Sequence, residues 1–274
     1  MTSTIGRAPT APHNGFGRFF RDTATLTGRT LMHWRQRPVS ILLTFLFPVL
    51  MVLMFGYLFG GAMNLPGGGY MEFLVPGMLT MTMLFGLESM VLSVTNDTAK
   101  GITERIRSMP INPAPVLMGR TLADMANGIV GLGVMVVTGL LVGWTAHRGI
   151  GATLAAMGLL LWLRFAFAWV GIYLGLLLKT PESAVGVQVI VWPVGFLSSA
   201  FVSPGTMPGW LDAIATWNPI SATATAAREL FGNPDWAAGG WATQHSVALA
   251  VIWPAALTLI FLPLAARQYR ALSR

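Results

Sequence analysis

The chain has 274 residues, 54% of them hydrophobic and only 10% charged. Soluble domains carry about 25% charged residues, and a water-soluble fold of this length cannot hide so much apolar surface, so the bilayer is the expected solvent. The formal net charge is +7 and cysteine is absent, which excludes disulfides, thiolate zinc sites and cysteine nucleophiles. In a soluble protein the basic excess would point to nucleic acid. Here Lys and Arg lie between apolar runs, so membrane topology accounts for them and no nucleic-acid partner is expected.

Residues 1–14 are polar and proline-containing and are expected to form a disordered cytoplasmic tail. Arginines are spread from Arg7 to Arg37 with no apolar core behind a short basic start, so this is not expected to be a cleaved signal peptide. Within it Phe16, Phe19, Phe20, Leu26, Leu31 and Trp34 approximate a helical stripe, interspersed with Arg18, Arg21, Arg29 and Arg35. That pattern predicts an amphipathic helix lying on the inner leaflet. The plainer alternative is a soluble basic tail.

A helix needs about 20 apolar residues to cross the hydrocarbon. Six stretches qualify: Val39–Ala62, Glu72–Thr95, Thr121–Thr145, Gly151–Leu178, Ala184–Val202 and Ser246–Ala266. With these spans, fourteen of the 17 Lys and Arg fall on one side; only Arg148 and Arg228 fall on the other, and Arg164 lies inside the fourth span. The asymmetry places both termini in the cytoplasm. The expected architecture is therefore an all-α integral membrane protein with six transmembrane helices. Residues 15–266 would form a single transmembrane domain and residues 267–274 a cytoplasmic tail.

Two segments between spans stand out. The loop Asn96–Arg120 holds Gly101–Met109, in which Ile102, Ile106 and Met109 share one face of a short helix. Pro110, Pro113 and Pro115 would stop it. Such a surface helix can pass force from a soluble partner to two spans, although on physics alone an ordinary charged loop is the better account. The outer segment Ser203–Gln244 carries Trp210, Trp217, Trp236 and Trp241, with Leu211, Ile214, Ala226, Ala227 and Leu230 at helical spacing. Tryptophan favours the interface, so one or two short helices dipping into the outer leaflet and joined at Asn218-Pro219 are predicted. Irregular backbone at that depth must pack against protein.

Three stretches carry a family likeness: YMEFLVPGMLTMTMLFG from Tyr70, KGITERIRSMPINPAPVLMGR from Lys100, and FLSSAFVSPGTMPGWLDAIATWNPISATATAARELFGNP from Phe196. On them the chain resembles the ABC type-2 permeases, in the daunorubicin-resistance-type branch of actinobacterial drug and lipid exporters. The resemblance implies a permease dimer, formed with a second identical or homologous copy and served by two separate ATPase subunits. It makes the loop helix the coupling helix, with Gly101, Ile102, Glu104, Arg105, Arg107, Met109 and Pro110 contacting the ATPase. It makes Phe16, Arg18, Phe20 and Trp34 part of a connecting helix and the outer segment a pair of re-entrant helices. It places the path at the permease interface, lined mainly by the second and fifth spans, where Met78, Met81, Phe85, Glu88, Val189, Trp192 and Phe196 are candidates. Cargo would be a hydrophobic or amphipathic drug, or a lipid. Location would be the plasma membrane, the inner membrane of a bacterium. The chain has no G-x-x-x-x-G-K-[ST] phosphate loop, so it is not expected to be an enzyme itself. ATP and Mg are expected on the partner and no cofactor here.

Charges inside spans cost a few kcal/mol unless paired or hydrated. Glu88 in the second span and Arg164 in the fourth lie at compatible depths and are a candidate ion pair. The functional alternative has Glu88 line a cavity or meet a cationic substrate. Asp124 and Asn127, at the start of the third span, are expected to cap a helix, with a bond to the loop Asn96–Arg120 as the alternative. Gly56/Gly60, Gly139/Gly143 and Gly171/Gly175 have a spacing that permits close helix approach. Pro48, Pro76, Pro193 and Pro254 should bend spans, and the methionines of the first two spans suit irregular packing. Four scattered histidines suggest no metal site. An ion-coupled secondary transporter would need internal repeats, and an intramembrane enzyme convergent catalytic groups. Neither pattern is visible.

Overall fold

Without water, every backbone N–H and C=O must be bonded within the protein, and a long apolar run meets that demand as a helix. The computed structural model of the chain describes residues 38–60, 69–102, 113–235 and 240–271, and it is helical with no strand among the described residues. In chain order the helices are α1 (Pro38–Gly60), α2 (Tyr70–Ala99), α3 (Pro113–Leu141), α4 (Ile150–Leu178), α5 (Pro181–Phe196), α6 (Gly209–Thr216), α7 (Pro219–Phe231), α8 (Trp241–Gln244) and α9 (Ser246–Ala271), with a short 3-10 turn at Pro204–Thr206. Four of them are long and apolar enough to cross a membrane: α2, α3 from Ala114 onward, α4 and α9. Thr44–Gly60 of α1 is a shorter apolar helix.

The fifth expected span is cut short. α5 has 16 residues, about 24 Å of helix, against a hydrocarbon core of about 30 Å. It stops at Phe196 because the chain beyond is held by another element. Asn218 Nδ2 donates to the carbonyl oxygens of Val194 and Leu197 at 2.8 and 3.3 Å, taking two acceptors of the last turn. The Ser199 N–H donates to Ser221 Oγ at 2.8 Å. The same Asn218 accepts from the Ile220 N–H at 2.9 Å and so caps α7. The two short helices α6 and α7 meet at Trp217 and Asn218.

The third span begins earlier than the sequence predicts. α3 starts at Pro113 rather than Thr121 and ends at Leu141 rather than Thr145. A proline in the first turn costs nothing, since its missing N–H would have no helical partner there.

α2 is the centre of the fold. Phe73, Leu74, Val75, Met78, Leu79, Met81 and Met83 along it are fully or almost fully buried. α4 lies against it through Gly171 and Gly175. A Cβ at Gly171 would sit 2.9 Å from the Leu87 carbonyl oxygen, and one at Gly175 would sit 2.8 Å from Val94 Cγ1. Small residues at this spacing bring the two backbones together.

At the Tyr70 end of α2, the loop that follows α5 is pressed onto Gly77. A Cβ there would collide with the Ala200 carbonyl and lie 2.8 Å from Ala200 Cα. Backbone cannot step aside as a flexible side chain can. Gly77→Val is expected to destabilise the fold by about 1–3 kcal/mol through overpacking, read as a lower midpoint of thermal unfolding in detergent. An unchanged midpoint would show that residues 197–202 are not seated on α2.

Candidate functional site

Polar and aromatic side chains gather at three levels of the helix bundle. At mid-bundle, Arg164 is buried among α2, α3 and α4. Its Nε donates to Asp124 Oδ2 at 2.9 Å and to the Asp124 carbonyl oxygen at 3.1 Å, and its Nη2 donates to Asp124 Oδ1 at 2.7 Å. Nη1 donates to the Thr82 carbonyl oxygen at 3.4 Å. Room for the guanidinium comes from two glycines. A Cβ at Gly86 would fall 2.7 Å from Arg164 Cζ, and one at Gly128 would collide with Arg164 Cδ.

This corrects two expectations. The partner of Arg164 is Asp124, not Glu88. Asp124 caps no helix end; it lies well inside α3, where its carboxylate meets the guanidinium in a two-pronged contact of the kind Arg favours.

Glu88 points to another face. Its Oε2 accepts from Gln188 Nε2 of α5 at 3.3 Å. Its Oε1 is buried and has no hydrogen-bond partner among the described residues. One turn along lies an aromatic group. The ring centroids of Phe85 and Trp192 are 5.4 Å apart, those of Phe47 and Trp192 5.4 Å, and those of Trp192 and Phe196 5.7 Å. Phe196 stacks on Phe201 at 4.9 Å. Phe85, Glu88, Trp192 and Phe196 are therefore together on one α2–α5 face. Val189 is exposed on α5 beside them. Met78 and Met81, expected with them, are buried inside the chain, Met81 beneath Gly195 of α5.

At the Tyr70 end a cap is built around Arg228 of α7. This arginine has no exposed surface. Its Nε donates to the Phe73 carbonyl oxygen at 3.0 Å, and its Nη2 donates to the Ser199 carbonyl oxygen at 2.7 Å. Its Cζ sits 3.6 Å above the Phe73 ring, a cation–π contact. Asp235 Oδ1 lies 3.6 Å from Nη1. Burial pulls the guanidinium down to about 10, with Asp235 opposing, so the group stays cationic at neutral pH. Trp144 Nε1 donates to Asn233 Oδ1 at 2.9 Å, and His147 pairs with Glu72 at 3.0 Å. A cavity of about 520 Å³ opens beside this cap, lined by His147, Arg148, Thr225, Glu229, Asn233 and Asp235 among others.

At the opposite end of α2, Asp97 forms an ion pair with Arg120 of α3. It clamps together the two helices from which residues 100–112 emerge. Of the residues predicted to contact an ATPase, Gly101 and Ile102 continue α2 into a turn. Glu104, Arg105, Arg107, Met109 and Pro110 lie outside the described residues, as do Phe16, Arg18, Phe20 and Trp34.

Three side chains that organise these levels are not legible as such in the sequence: Asp124 reads as a helix start, Arg228 as a loop charge, and Gln188 as one polar residue in an apolar span. The available signal for Gln188 is its solitude in the apolar run VGVQVIVW. No group of three or more metal-ligating side chains occurs among the described residues.

Residues 21–231 match the family model described as ABC-2 type transporter. Over 251 residues the chain is 36% identical to the daunorubicin resistance ABC transporter permease protein DrrB1 of Streptomyces coeruleorubidus, covering 90% of this chain and 86% of the relative. It is 25% identical over 224 residues to the putative transport permease ycf38 of Cyanophora paradoxa, covering 80% and 77%. It is 22% identical over 272 residues to the probable doxorubicin resistance ABC transporter permease protein DrrC of Mycobacterium tuberculosis, covering 97% and 96%.

Proposed function

This chain belongs to the ABC-2 type transporter family, and on that footing we propose that it is the membrane-spanning permease subunit of an ATP-driven exporter. The observation that carries the proposal is the 36% identity to a drug-resistance permease along almost the whole of both chains. The absence of a phosphate-loop sequence supports placing ATP hydrolysis, with its Mg, on separate ATPase subunits. A second permease copy would complete the path. The cargo class is a hydrophobic or amphipathic drug, or a lipid; the names of two relatives point toward drugs.

The finer arrangement belongs to the same proposal. α1 and α5 join the four long helices to make six spans in one domain, residues 15–266. Residues 1–14 and 267–274 form tails, and the Lys and Arg asymmetry puts both termini in the cytoplasm of a bacterial cell. Residues 16–37, outside the described residues, are the proposed connecting helix, and α6 and α7 would cap the path from outside.

In this arrangement α2 is the transmission rod. It runs unbroken from Tyr70 at the cap to Ala99 at the loop and carries Phe85 and Glu88 between. Force on residues 101–113 enters a root braced by the Asp97–Arg120 ion pair. A rigid helix held along α4 by Gly171 and Gly175 then moves as a unit, and alternating access follows from tilting that unit against α5 and the second copy.

Co-purification from the native membrane followed by mass spectrometry tests the proposal. Recovery of an ABC ATPase is expected. Its absence, together with cargo movement in liposomes driven by an ion gradient alone, would replace the exporter with a secondary transporter. Reversing charge at Arg105 and Arg107 is expected to lower ATPase recovery by roughly tenfold, the scale of one lost charged contact. Arg148→Glu, at the far end of the molecule, should leave recovery unchanged. Equal recovery from all three proteins would remove the loop from the interface.

A further inference from the structure

Arg148 and Glu229 carry opposite charges and line one cavity, yet they do not pair with each other. The cavity is the one of about 520 Å³ at the Tyr70 end, and every side chain that lines it is polar. Of its other ionisable residues, Asp235 already lies beside Arg228 and His147 beside Glu72. Glu229 is exposed; its Oε2 accepts from Ser246 Oγ at 3.1 Å, and Oε1 meets no donor among the described residues. The Arg148 guanidinium is exposed and meets no acceptor among the described residues.

Backbone contacts fix both positions. The His147 and Arg148 N–H groups donate to the Phe231 carbonyl oxygen at 2.6 and 3.3 Å, docking the connection between α3 and α4 onto the last turn of α7. The Arg148 stem lies over Gly232, where a Cβ would sit 3.1 Å from its Cγ. Gly232 ends α7 at a φ of 73°, a conformation suited to glycine, and follows Glu229 by three residues.

A ligand that answers both side chains carries both signs. A simple anion would satisfy Arg148 but face Glu229 and Asp235, and a simple cation would leave Arg148 unanswered. A phosphodiester joined to a primary ammonium meets the whole set. Arginine donates to phosphate oxygens in a two-pronged contact. An ammonium brings three N–H donors to Glu229 and to the Thr225 hydroxyl, one turn before it on the same face of α7. The end of a helix also favours positive charge. The level of the cavity points to the source of such a group. Leu141 and Ile150, at the ends of α3 and α4 on either side of the connection, are 81% and 80% exposed. Trp241, two residues from the lining Thr243, is also exposed. Exposed apolar side chains and tryptophan at the ends of spans mark the boundary between lipid tails and headgroups.

We propose that this cavity binds the phosphoethanolamine headgroup of a bilayer lipid, with its phosphate on Arg148 and its ammonium on Glu229. Bound there, the lipid ties the α3–α4 connection to the end of α7 and steadies the cap. The cavity is separate from the α2–α5 face, and the inference requires that α3 and α4 span the membrane, not that an ATPase drives the chain.

The test is native mass spectrometry of the full chain in dodecylmaltoside micelles, titrated with phosphatidylethanolamine, phosphatidylcholine or phosphatidylglycerol of the same acyl chains. Phosphatidylethanolamine is expected to bind saturably. Phosphatidylcholine, whose trimethylammonium has no N–H to donate, and phosphatidylglycerol, which has no cation, are each expected to bind about tenfold more weakly. Arg148→Gln is expected to weaken phosphatidylethanolamine binding about tenfold. Glu229→Gln is expected to do the same and to bring phosphatidylglycerol within roughly twofold of phosphatidylethanolamine, a change of preference that loss of folding cannot produce. Three lipids bound alike by the unaltered chain would mean unselective boundary lipid and overturn the inference. An unchanged preference in Glu229→Gln would overturn it as well. Soluble glycerophosphoethanolamine, lacking acyl chains, is expected to compete about tenfold or more weakly than the lipid; equal competition would overturn the bilayer as the source.

Discussion

Arg164→Leu is expected to destabilise the folded chain by about 3–5 kcal/mol, the usual consequence of removing one member of a buried ion pair. That is more than a hundredfold in the folded-to-unfolded ratio. The loss comes less from the missing attraction than from what remains. Asp124 is buried between α3 and α4, and its two carboxylate oxygens would face apolar side chains with their donors gone. The void over Gly86 and Gly128 adds a packing cost. The companion Asp124→Leu/Arg164→Leu removes both charges, and it is expected to recover at least half of the lost stability, because a matched apolar pair carries no desolvation penalty. Thermal unfolding followed by size-exclusion chromatography in detergent separates the three proteins. A single variant as stable as the unaltered chain, or a double variant no better than the single, would refute the account.

The same pair shows what could be inferred from the sequence. Depth was legible. Arg164 is the middle residue of α4, with fourteen residues on either side, and a charge in mid-span needs a partner. Direction was not. Gly86, which faces Arg164, and Glu88, which faces Gln188, are two residues apart on α2. Two residues are about 200° of rotation on a helix, so the two positions look to opposite sides. Hydrophobic periodicity cannot resolve that on α2, which is apolar nearly all round and buried on most sides. Asp124 was misplaced for a different reason. The prolines from Pro110 to Pro115 read as a helix stop, yet Pro113 starts α3, which shifts Asp124 from the rim to the interior. The pair of short helices after α5 was readable because Asn218-Pro219 is a capping residue followed by a first-turn proline. Arg228 was hidden because its partners are backbone carbonyl oxygens far away in sequence, which no side-chain pattern encodes.

Arg228→Met is expected to release the cap. Methionine is a reasonable fit for the volume but donates no hydrogen bond. The Phe73 and Ser199 carbonyl oxygens lose their shared donor, and Asp235 loses the positive charge beside it. Together these are expected to cost about 3–5 kcal/mol, borne locally by α7 rather than by the α2–α4 core. Because the chain has no cysteine, a single introduced one reports on this directly. Ala226 on α7 is fully buried. Ala226→Cys in the otherwise unaltered chain should resist a membrane-impermeant maleimide, and the same cysteine alongside Arg228→Met should be labelled rapidly. Equal protection in both would mean that α7 is held by apolar packing alone.

Asp124 and Arg164 sit on consecutive helices joined by a connection of eight residues, 142–149. Released singly into lipid during synthesis, each helix would carry a bare charge costing about 2.5–3.5 kcal/mol on insertion scales. Released as a hairpin, the two charges annul each other. The ion pair therefore favours an order of assembly as well as a final geometry: inserting α3 and α4 as one piece spares the bilayer either bare charge.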